Sequence, residues 1–338
     1  MTTGPLKDSP ASQRPCMRPF VLNLAHNALG CLVLLAMLAG ASSPASAAPS
    51  EPAAAREPGD PAAAPGPSEG SCDAHALQSI PERPAQAPGG SAFAARVHDL
   101  SGPPRDREVI AQILAGNLPG FLRRLVPVTV RDAHERHREL TVCVMPDYLA
   151  VGSDRDFVYV PMGLSAALEI AQRYGFVLPT PKLVDDIYRA SAVKLEPQPL
   201  TPGAWMRSTA YLVYHSELIA LQRAFDGASL GELTSGHKKD LVLTARLWQV
   251  PGRVAIYGWH RSVGDPIQPL STVHGARYAD YSHGVRLVSR TVYVDGRAQS
   301  MEATLADARL AALISREGVL PDLSGHLTRL LAQQPSAP

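Results

Sequence analysis

Apolar positions recur along the chain at two different spacings, and these mix irregularly from about residue 106 to the C-terminal end. Helical spacing, with apolar side chains three and four positions apart, covers 106–117, 165–174, 181–189, 209–225, 302–314 and 324–333. Strand-like alternation or short apolar runs cover 126–130, 140–145, 157–160, 240–244, 253–257 and 285–294. Strands come early and late with helices between them, without regular βαβ alternation. This order predicts a single α+β domain with a mostly antiparallel sheet and packed helices.

The N-terminal residues have a different pattern, typical of a cleavable secretory signal. Lys7, Arg14 and Arg18 precede a 14-residue apolar run at 28–41, and small residues with Ala-x-Ala spacing follow it. The run is shorter than the roughly 20 residues that cross a bilayer, although an uncleaved membrane anchor is the alternative. We therefore expect residues 1–48 to be a signal peptide. The mature chain is then secreted or periplasmic, without stable membrane insertion.

Composition divides the rest of the chain into three parts. Residues 49–95 are rich in Pro, Ala, Gly, Ser and Glu, with too little apolar bulk to offset the entropy of ordering. This segment is predicted to be a disordered linker, either a tether through an envelope layer or slack chain. Residues 96–332 are enough for one globular domain, and 333–338 form a predicted disordered tail.

Charge and cysteine content narrow the function classes. The formal net charge is +1, which gives no indication of a nucleic-acid partner. Only Cys72 and Cys143 remain after removal of the predicted signal. In an oxidising compartment such a pair is expected to form a disulfide, with two unrelated thiols as the alternative.

Candidate chemistry concentrates between residues 235 and 286. Four of the eleven histidines lie here, each beside a glycine or at a predicted strand edge: His237, His260, His274 and His283. If the strands beside His237, His260 and His283 are neighbours, their ends could gather the three imidazoles. Elsewhere, the segment His134-Glu-Arg-His137 looks metal-like but lies in a charged stretch that we interpret as a solvated hairpin. The chain has no Gly-x-Ser-x-Gly, Walker, dinucleotide-binding or His-Glu-x-x-His motif.

One chemistry for this region uses a metal. His237, Asp240 and His283 could ligate Zn²⁺ and leave a position for water, whose pKa the metal would lower. His260 would then act as general base or stabilise an oxyanion. The order His, Asp, His resembles that of secreted zinc peptidases that trim peptidoglycan stems, although the wider His-to-Asp spacing and closing His-x-His of that family are absent.

The other chemistry needs no metal. Histidines, including His260 and His274, would act as acid and base because the imidazole titrates near neutrality. Tyr281, Ser282 and Arg286 would supply a proton donor, a nucleophile and an anion clamp. Ser282 and the next residue, His283, are expected on opposite faces if both lie in a strand, so Ser282 would need another base.

A short stretch also resembles L,D-transpeptidases. His274-Gly275 followed by Ser282-His283-Gly284-Val285-Arg286 is similar to their His-Gly and Ser-x-Gly-Cys-x-Arg signature, over about fourteen residues. Val285 follows Gly284 directly, and the nucleophilic cysteine of that family is missing. The resemblance therefore does not imply acyl-enzyme chemistry through a thiol. The segments 236–240 and 280–284 also resemble uncharacterised secreted bacterial proteins, which implies no activity.

The sequence thus indicates a secreted hydrolase that acts on an extracellular or cell-envelope polymer. The alternative is a non-catalytic, tethered domain that binds cell-wall glycan or peptide through a stacking surface of Trp205, Trp248, Trp259 and Tyr257. Structural interpretations are also open for single residues. Lys238-Lys239 and Asp185-Asp186 could be solvated charge, and Arg286 could pair with Asp280 across a turn.

Overall fold

The computed structural model describes Cys72 and residues 80–131 and 138–332. The predicted signal peptide, most of the predicted linker, the His134-Glu-Arg-His137 segment and the tail at 333–338 lie outside the described residues. The described helices are α1 Gly90–Arg96, α2 Pro103–Leu114, α3 Leu164–Arg173, α4 Pro181–Ala190, α5 Thr209–Phe225, α6 Arg246–Gln249, α7 Met301–Ala306, α8 Ala308–Ile314 and α9 Leu323–Ala332. The described strands are β1 Val126–Arg131, β2 Glu139–Val144, β3 Ala150–Ser153, β4 Asp156–Tyr159, β5 Phe176–Val177, β6 Val193–Lys194, β7 Thr234–Ser235, β8 Lys239–Leu241, β9 Ile256–Ser262, β10 Asp265–Ser271, β11 His283–Gly284, β12 Val288–Val294 and β13 Arg297–Ser300.

The main sheet confirms the predicted α+β class. Its strands run in the order β1-β2-β12-β13, with β5 also paired to β12, and every pairing is antiparallel. The predicted hairpin joins β1 to β2, with Arg131 opposite Glu139. β2 contributes the centre of the core, since Leu140, Val142 and Val144 are fully buried.

A second sheet carries the region rich in histidine. Its order is β10-β9-β8-β11. β9 pairs antiparallel with both β10 and β8, whereas β8 and β11 run parallel. His283 lies opposite Lys239 and Gly284 lies opposite Asp240. Gly284 is required there because an added Cβ would lie 2.6 Å from the ring of Tyr148 and 2.8 Å from the Cβ of Lys238. The missing side chain lets β11 approach the buried core.

Residues 80–95, which composition assigns to the linker, pack against the domain. Ile80 and Phe93 are buried, and α1 contacts the β3–β4 hairpin. Arg83 donates hydrogen bonds to the Asn117 side chain and to the carbonyl of Gly152. The predicted disulfide is also present, between Cys72 and Cys143 of β2, with a Cα–Cα distance of 5.4 Å.

Local sequence signals located most helices well. Helix α5 has the predicted bounds, and α4 begins as predicted after Thr180, whose hydroxyl accepts a hydrogen bond from the Leu183 backbone NH. The predicted helix at 302–314 is divided in two at Asp307. Its carboxylate caps α8 by accepting bonds from two backbone NH groups. No helix in the described part of the chain is both long and apolar enough to cross a membrane.

Strand bounds differ more from the predictions. The predicted strand at 253–257 pairs only from Ile256 and runs on to Ser262, and the one at 285–294 begins at Val288. The apolar residues before these strands, Val254, Ala255, Val285 and Leu287, are buried outside a regular ladder, so their apolar character reports burial and not strand structure. β10 was not predicted because Pro266 and Pro269 interrupt it, which an edge strand tolerates.

Candidate active site

The polar residues around β8 and β11 are buried to an unusual degree. Burial of ionisable groups costs free energy unless they are paired, and such groups are retained most often at functional sites. The following side chains are no more than 3% exposed: His237, Lys238, Asp240, Asp280, Ser282, His283 and Arg286. Their contacts divide them into three neighbouring clusters, and a fourth cluster forms around His260.

The first cluster is centred on the Asp280 carboxylate. Ser282 donates from its hydroxyl (2.6 Å) and from its backbone NH (2.9 Å) to Asp280 Oδ1. Tyr278 donates from its hydroxyl to Oδ2 at 3.2 Å. His283 Nε2 lies 3.8 Å from the same Oδ2, which is beyond hydrogen-bond distance. We call Asp280 and these three partners, together with His274, the Asp280 cluster.

The imidazole of His283 is the least satisfied member of this cluster. Neither ring nitrogen has a hydrogen-bond partner among the described residues, although the side chain is fully buried. His274 and Tyr278, both only half-buried, stack at 4.0 Å between ring centroids, and the His274 ring lies 6.3 Å from that of His283. The cluster therefore reaches the surface through His274 and Tyr278 and ends at an imidazole with free nitrogen atoms.

Lys239 and Trp259 flank this cluster from the strands β8 and β9. Lys239 Nζ lies 4.7 Å from the centroid of the Trp259 ring, in cation–π geometry. Trp259 has φ 57°, a left-handed conformation that is strained for a bulky residue, and its indole NH is buried without a partner in the described part of the chain. Gly258, with φ 103°, precedes it. Backbone strain of this kind concentrates at functional sites.

The electrostatics of the cluster set its protonation states. Burial lowers the pKa of His283 well below its usual range and outweighs the neighbouring Asp280, so the imidazole is neutral at pH 7. Burial alone would raise the pKa of Asp280, but His283, the hydrogen bonds from Ser282 and the charge of Lys239 lower it. Burial and Asp280 together raise the pKa of Tyr278 to about 12. The cluster thus combines a neutral imidazole, a carboxylate and a phenol that keeps its proton.

The second cluster is centred on Asp240. Its Oδ2 accepts a hydrogen bond from the Tyr148 hydroxyl at 2.8 Å, and its Oδ1 lies 4.0 Å from Arg286 Nε. Arg286 stacks over the Tyr148 ring and donates to the carbonyls of Met145 and Thr234. Burial raises the pKa of Asp240 to about 6 despite the charge of Arg286. The alternative pairing of Arg286 with Asp280 is wrong, because the guanidinium donates to the carbonyls of Met145 and Thr234 and its Nε lies beside Asp240.

The third cluster contains Lys238, which lies in the interior and not in solvent. Its Nζ lies 2.9 Å from His215 Nδ1, donates to the carbonyl of Tyr281 at 2.7 Å and lies over the Tyr159 ring. Burial lowers the pKa of Lys238 to about 7. Interpreting Lys238 as solvated charge is therefore wrong. The Lys239 side chain is also partly removed from solvent, and this burial lowers its pKa.

His237 adjoins Lys238 and faces Asp147. The carboxylate of Asp147 accepts hydrogen bonds from Arg223 (2.7 Å) and from the Tyr159 hydroxyl (2.8 Å). His237 Nε2 lies 3.2 Å from Asp147 Oδ1 without hydrogen-bond geometry, and its ring packs against those of Tyr148 and Tyr159. His237 is therefore enclosed by tyrosine rings.

The fourth cluster pairs His260 with a carboxylate from α4. His260 Nε2 lies 2.8 Å from Asp185 Oδ1, and the same carboxylate accepts a hydrogen bond from the Tyr257 hydroxyl and pairs with Arg316 at 2.5 Å. The His260 ring also stacks on Tyr188 at 4.5 Å. Interpreting Asp185-Asp186 as a solvated face is wrong, because both side chains are buried and paired.

The structure thus brings together only part of the predicted site. β8, β9 and β11 are neighbours, which is the arrangement that a shared histidine site would need. The histidines beside these strands nevertheless contact different carboxylates. His274, Ser282 and His283 meet at Asp280, whereas His237, Asp240 and His260 each lie against other partners. Ser282 and His283 both face Asp280, because β11 begins only at His283 and Ser282 is not in the strand. The Tyr281 hydroxyl accepts a hydrogen bond from the backbone NH of Leu200 at 2.6 Å.

The sequence analysis missed several residues of these clusters. Asp280 and Tyr278 lie within the stretch rich in histidine, and their positions three and five residues before His283 were the signal that could have identified them. Asp147 and Tyr148 follow directly after β2, where polar residues at a strand end are candidates. The predicted aromatic strip is not assembled, since Trp205 is 67% exposed whereas Trp259 and Tyr257 are buried.

The predicted zinc ligands do not share one site. His237 lies against Asp147, Asp240 against Tyr148 and His283 against Asp280. Within residues 80–131 and 138–332, no group of three or more His, Cys, Asp or Glu side chains is arranged to hold a metal ion. Zinc binding stays a prediction and enters no step below. Comparison of the chain with known protein families, with curated proteins and with solved structures finds no match.

Proposed function

We propose that the chain is a hydrolase with His283 as general base, in the Asp280 cluster. The observation that carries this proposal is the state of His283: a neutral, buried imidazole, 3.8 Å from a carboxylate, whose nitrogen atoms have no hydrogen-bond partner among the described residues. Buried polar groups are usually paired. His237 also lacks such partners, but the rings of Tyr148 and Tyr159 enclose it, whereas His283 adjoins side chains that reach the surface. Two half-buried rings, His274 and Tyr278, connect it to the surface.

In this reaction His283 takes a proton from a water molecule as that water attacks the carbonyl carbon of an ester or amide substrate. Asp280, held by two hydrogen bonds from Ser282, favours the imidazolium that forms. Lys239, whose charge acts on both Asp280 and His283, stabilises the developing oxyanion. The bond to the leaving group then breaks, and the leaving group receives the proton from His283.

The substrate that we propose is an extracellular or cell-envelope polymer. The N-terminal pattern of basic residues, apolar run and small residues supports export of the chain. The disulfide between Cys72 and Cys143 supports an oxidising compartment, where such bonds persist.

The test is release of soluble dye from labelled peptidoglycan and labelled casein by the purified chain and by Asp280→Asn. We expect release by the native chain and loss of about 10²- to 10⁴-fold of its rate in the variant. Lys194→Gln, at a partly exposed site outside the Asp280 cluster, is the matched control and should retain the native rate. Equal rates for native chain and Asp280→Asn, or no release from either polymer, would reject the proposal.

A further inference from the structure

A cavity of about 370 Å³ opens between β4 and α5, away from the Asp280 cluster. This volume lies in the range of pockets that hold small molecules, roughly 300–1,000 Å³. Its walls are largely apolar, and the apolar side chains that line it are Phe157, Ile219, Ala220, Ala224, Ala228 and Leu230. A ligand that fills this cavity must therefore have a large apolar part.

The polar groups of the cavity are few, and most are already paired. Arg223 is held by Asp147 behind it, and the Asp156 carboxylate accepts hydrogen bonds from the backbone NH and hydroxyl of Ser91. Arg155 differs, because its exposed guanidinium pairs with none of the described residues although it lines the cavity. Arg155 is thus the cation of the lining that a ligand can pair with, next to an Asp156 carboxylate whose hydrogen bonds go to Ser91.

Apolar side chains continue from the cavity onto the surface of α5. Leu221 is 68% exposed and Phe225 is 92% exposed on this helix, and Leu230 at the cavity wall is 37% exposed. Large apolar side chains that are exposed together mark binding surfaces more often than chance. Leu230 belongs to the cavity wall, and Leu221 lies one helical turn before Ala224 of that wall, on the exposed side of α5.

We propose that this cavity binds the alkyl chain of a single anionic amphiphile, a long-chain carboxylate, whose head group pairs with Arg155. The alkyl chain lies against Phe157 and Ile219, and its outer part rests on Leu221 and Leu230. The carboxylate remains near solvent, where the planar guanidinium can bind it through two hydrogen bonds. This binding site is independent of the proposed hydrolysis.

The experiment is calorimetric titration of the full chain with dodecanoate, kept below its micelle concentration, and with decanol as the uncharged probe. Ala224→Phe places a ring in the cavity from an exposed helix position, so the fold should be retained. We expect it to weaken dodecanoate binding by at least about tenfold. Ala210→Phe, also exposed on α5 but outside the cavity, is the matched control and should bind as the native chain does.

Arg155→Gln tests the head group separately. A solvent-exposed ion pair contributes modestly, so we expect dodecanoate binding to weaken about two- to fivefold while decanol binding is unchanged. No dodecanoate binding by the native chain, or equal binding by Ala224→Phe and the native chain, would overturn the proposal. Binding to anionic phospholipid vesicles without binding to monomeric dodecanoate would also overturn it, because the occupant would then be a lipid surface.

Discussion

Two Asp–His–Tyr groupings lie on the same sheet of this protein, and they differ in how completely they are paired. At His260 the imidazole lies 2.8 Å from Asp185, which also holds Tyr257 and Arg316. At His283 the distance to the carboxylate is 3.8 Å, and neither ring nitrogen has a hydrogen-bond partner in the part of the chain that the structure describes. The first grouping ties α4 to β9 and is complete without a ligand. The second is complete only when another group supplies the missing hydrogen bonds.

The residue types alone would not separate the two groupings, because both contain the same three kinds of side chain. What separates them is the contact of each histidine with its carboxylate. An imidazole within hydrogen-bond distance of a carboxylate contributes to stability, whereas one without a partner can exchange a proton with a bound molecule.

Replacement of the proposed base should have the largest effect. His283→Gln keeps a polar side chain of similar size but cannot take up a proton. We expect the rate of hydrolysis to fall by about 10²- to 10⁴-fold, with the folded state retained. Steady-state rates on the labelled polymer, together with thermal unfolding, measure both. A variant that hydrolyses at the native rate would remove His283 from the mechanism.

Replacement of the carboxylate in the other grouping should affect stability instead. Asp185→Asn removes the charged acceptor shared by His260, Tyr257 and Arg316. We expect the free energy of unfolding to fall by about 1–3 kcal/mol, because buried partners lose their acceptor. Urea denaturation measures this loss, and turnover per folded molecule should be unchanged. A rate loss as large as that of His283→Gln would instead place the chemistry at His260.

The pH dependence of the rate should follow His283. Because burial lowers its pKa, the base stays neutral below the ordinary histidine pKa of about 6.5. The acidic limb of kcat/KM should therefore have its midpoint below pH 6.5, and the rate should fall about tenfold per pH unit below that midpoint. A midpoint at or above 6.5 would contradict a desolvated His283 as the base.

The smallest effects should come from the two tyrosine hydroxyls. Tyr278→Phe and Tyr257→Phe each remove one hydrogen bond to a carboxylate, at Asp280 and Asp185 respectively. Such a bond contributes about 0.5–1.5 kcal/mol. We expect Tyr278→Phe to slow hydrolysis about two- to tenfold, and Tyr257→Phe to lower stability by about 1 kcal/mol without slowing it. If Tyr257→Phe slowed hydrolysis and Tyr278→Phe only lowered stability, the chemistry would belong to the grouping at His260 and not to the one at His283.

The sequence predicted the fold class because apolar spacing reports burial, and the bounds of α4 and α5 follow from local capping and periodicity. It predicted the disulfide because only two cysteines remained. It could not predict that Lys238 and Asp185 are buried, since a charged pair of residues normally marks a solvated face. That burial depends on partners distant in sequence, His215 for the lysine and Tyr257 for the carboxylate.

The sequence located the candidate site along the chain but did not predict which of its side chains contact one another. The stretch around His274 and His283 was identified because four of the eleven histidines lie there, beside glycines or at predicted strand edges, and the structure brings these two together. The sequence placed Ser282 and His283 on opposite faces because it assumed that both lie in one strand. The short β11, which begins at His283, removes that restriction, and strand ends of this kind depend on the pairing with β8.

The main sheet joins strands from opposite ends of the domain, since β2 pairs with β12. Until residues near Val288 have been synthesised, one side of β2 has no partner and presents unpaired backbone groups, which are a template for association with other chains. Such non-local pairing also folds slowly. A chain that ends before β12 should therefore aggregate, because its main sheet cannot be completed without that strand.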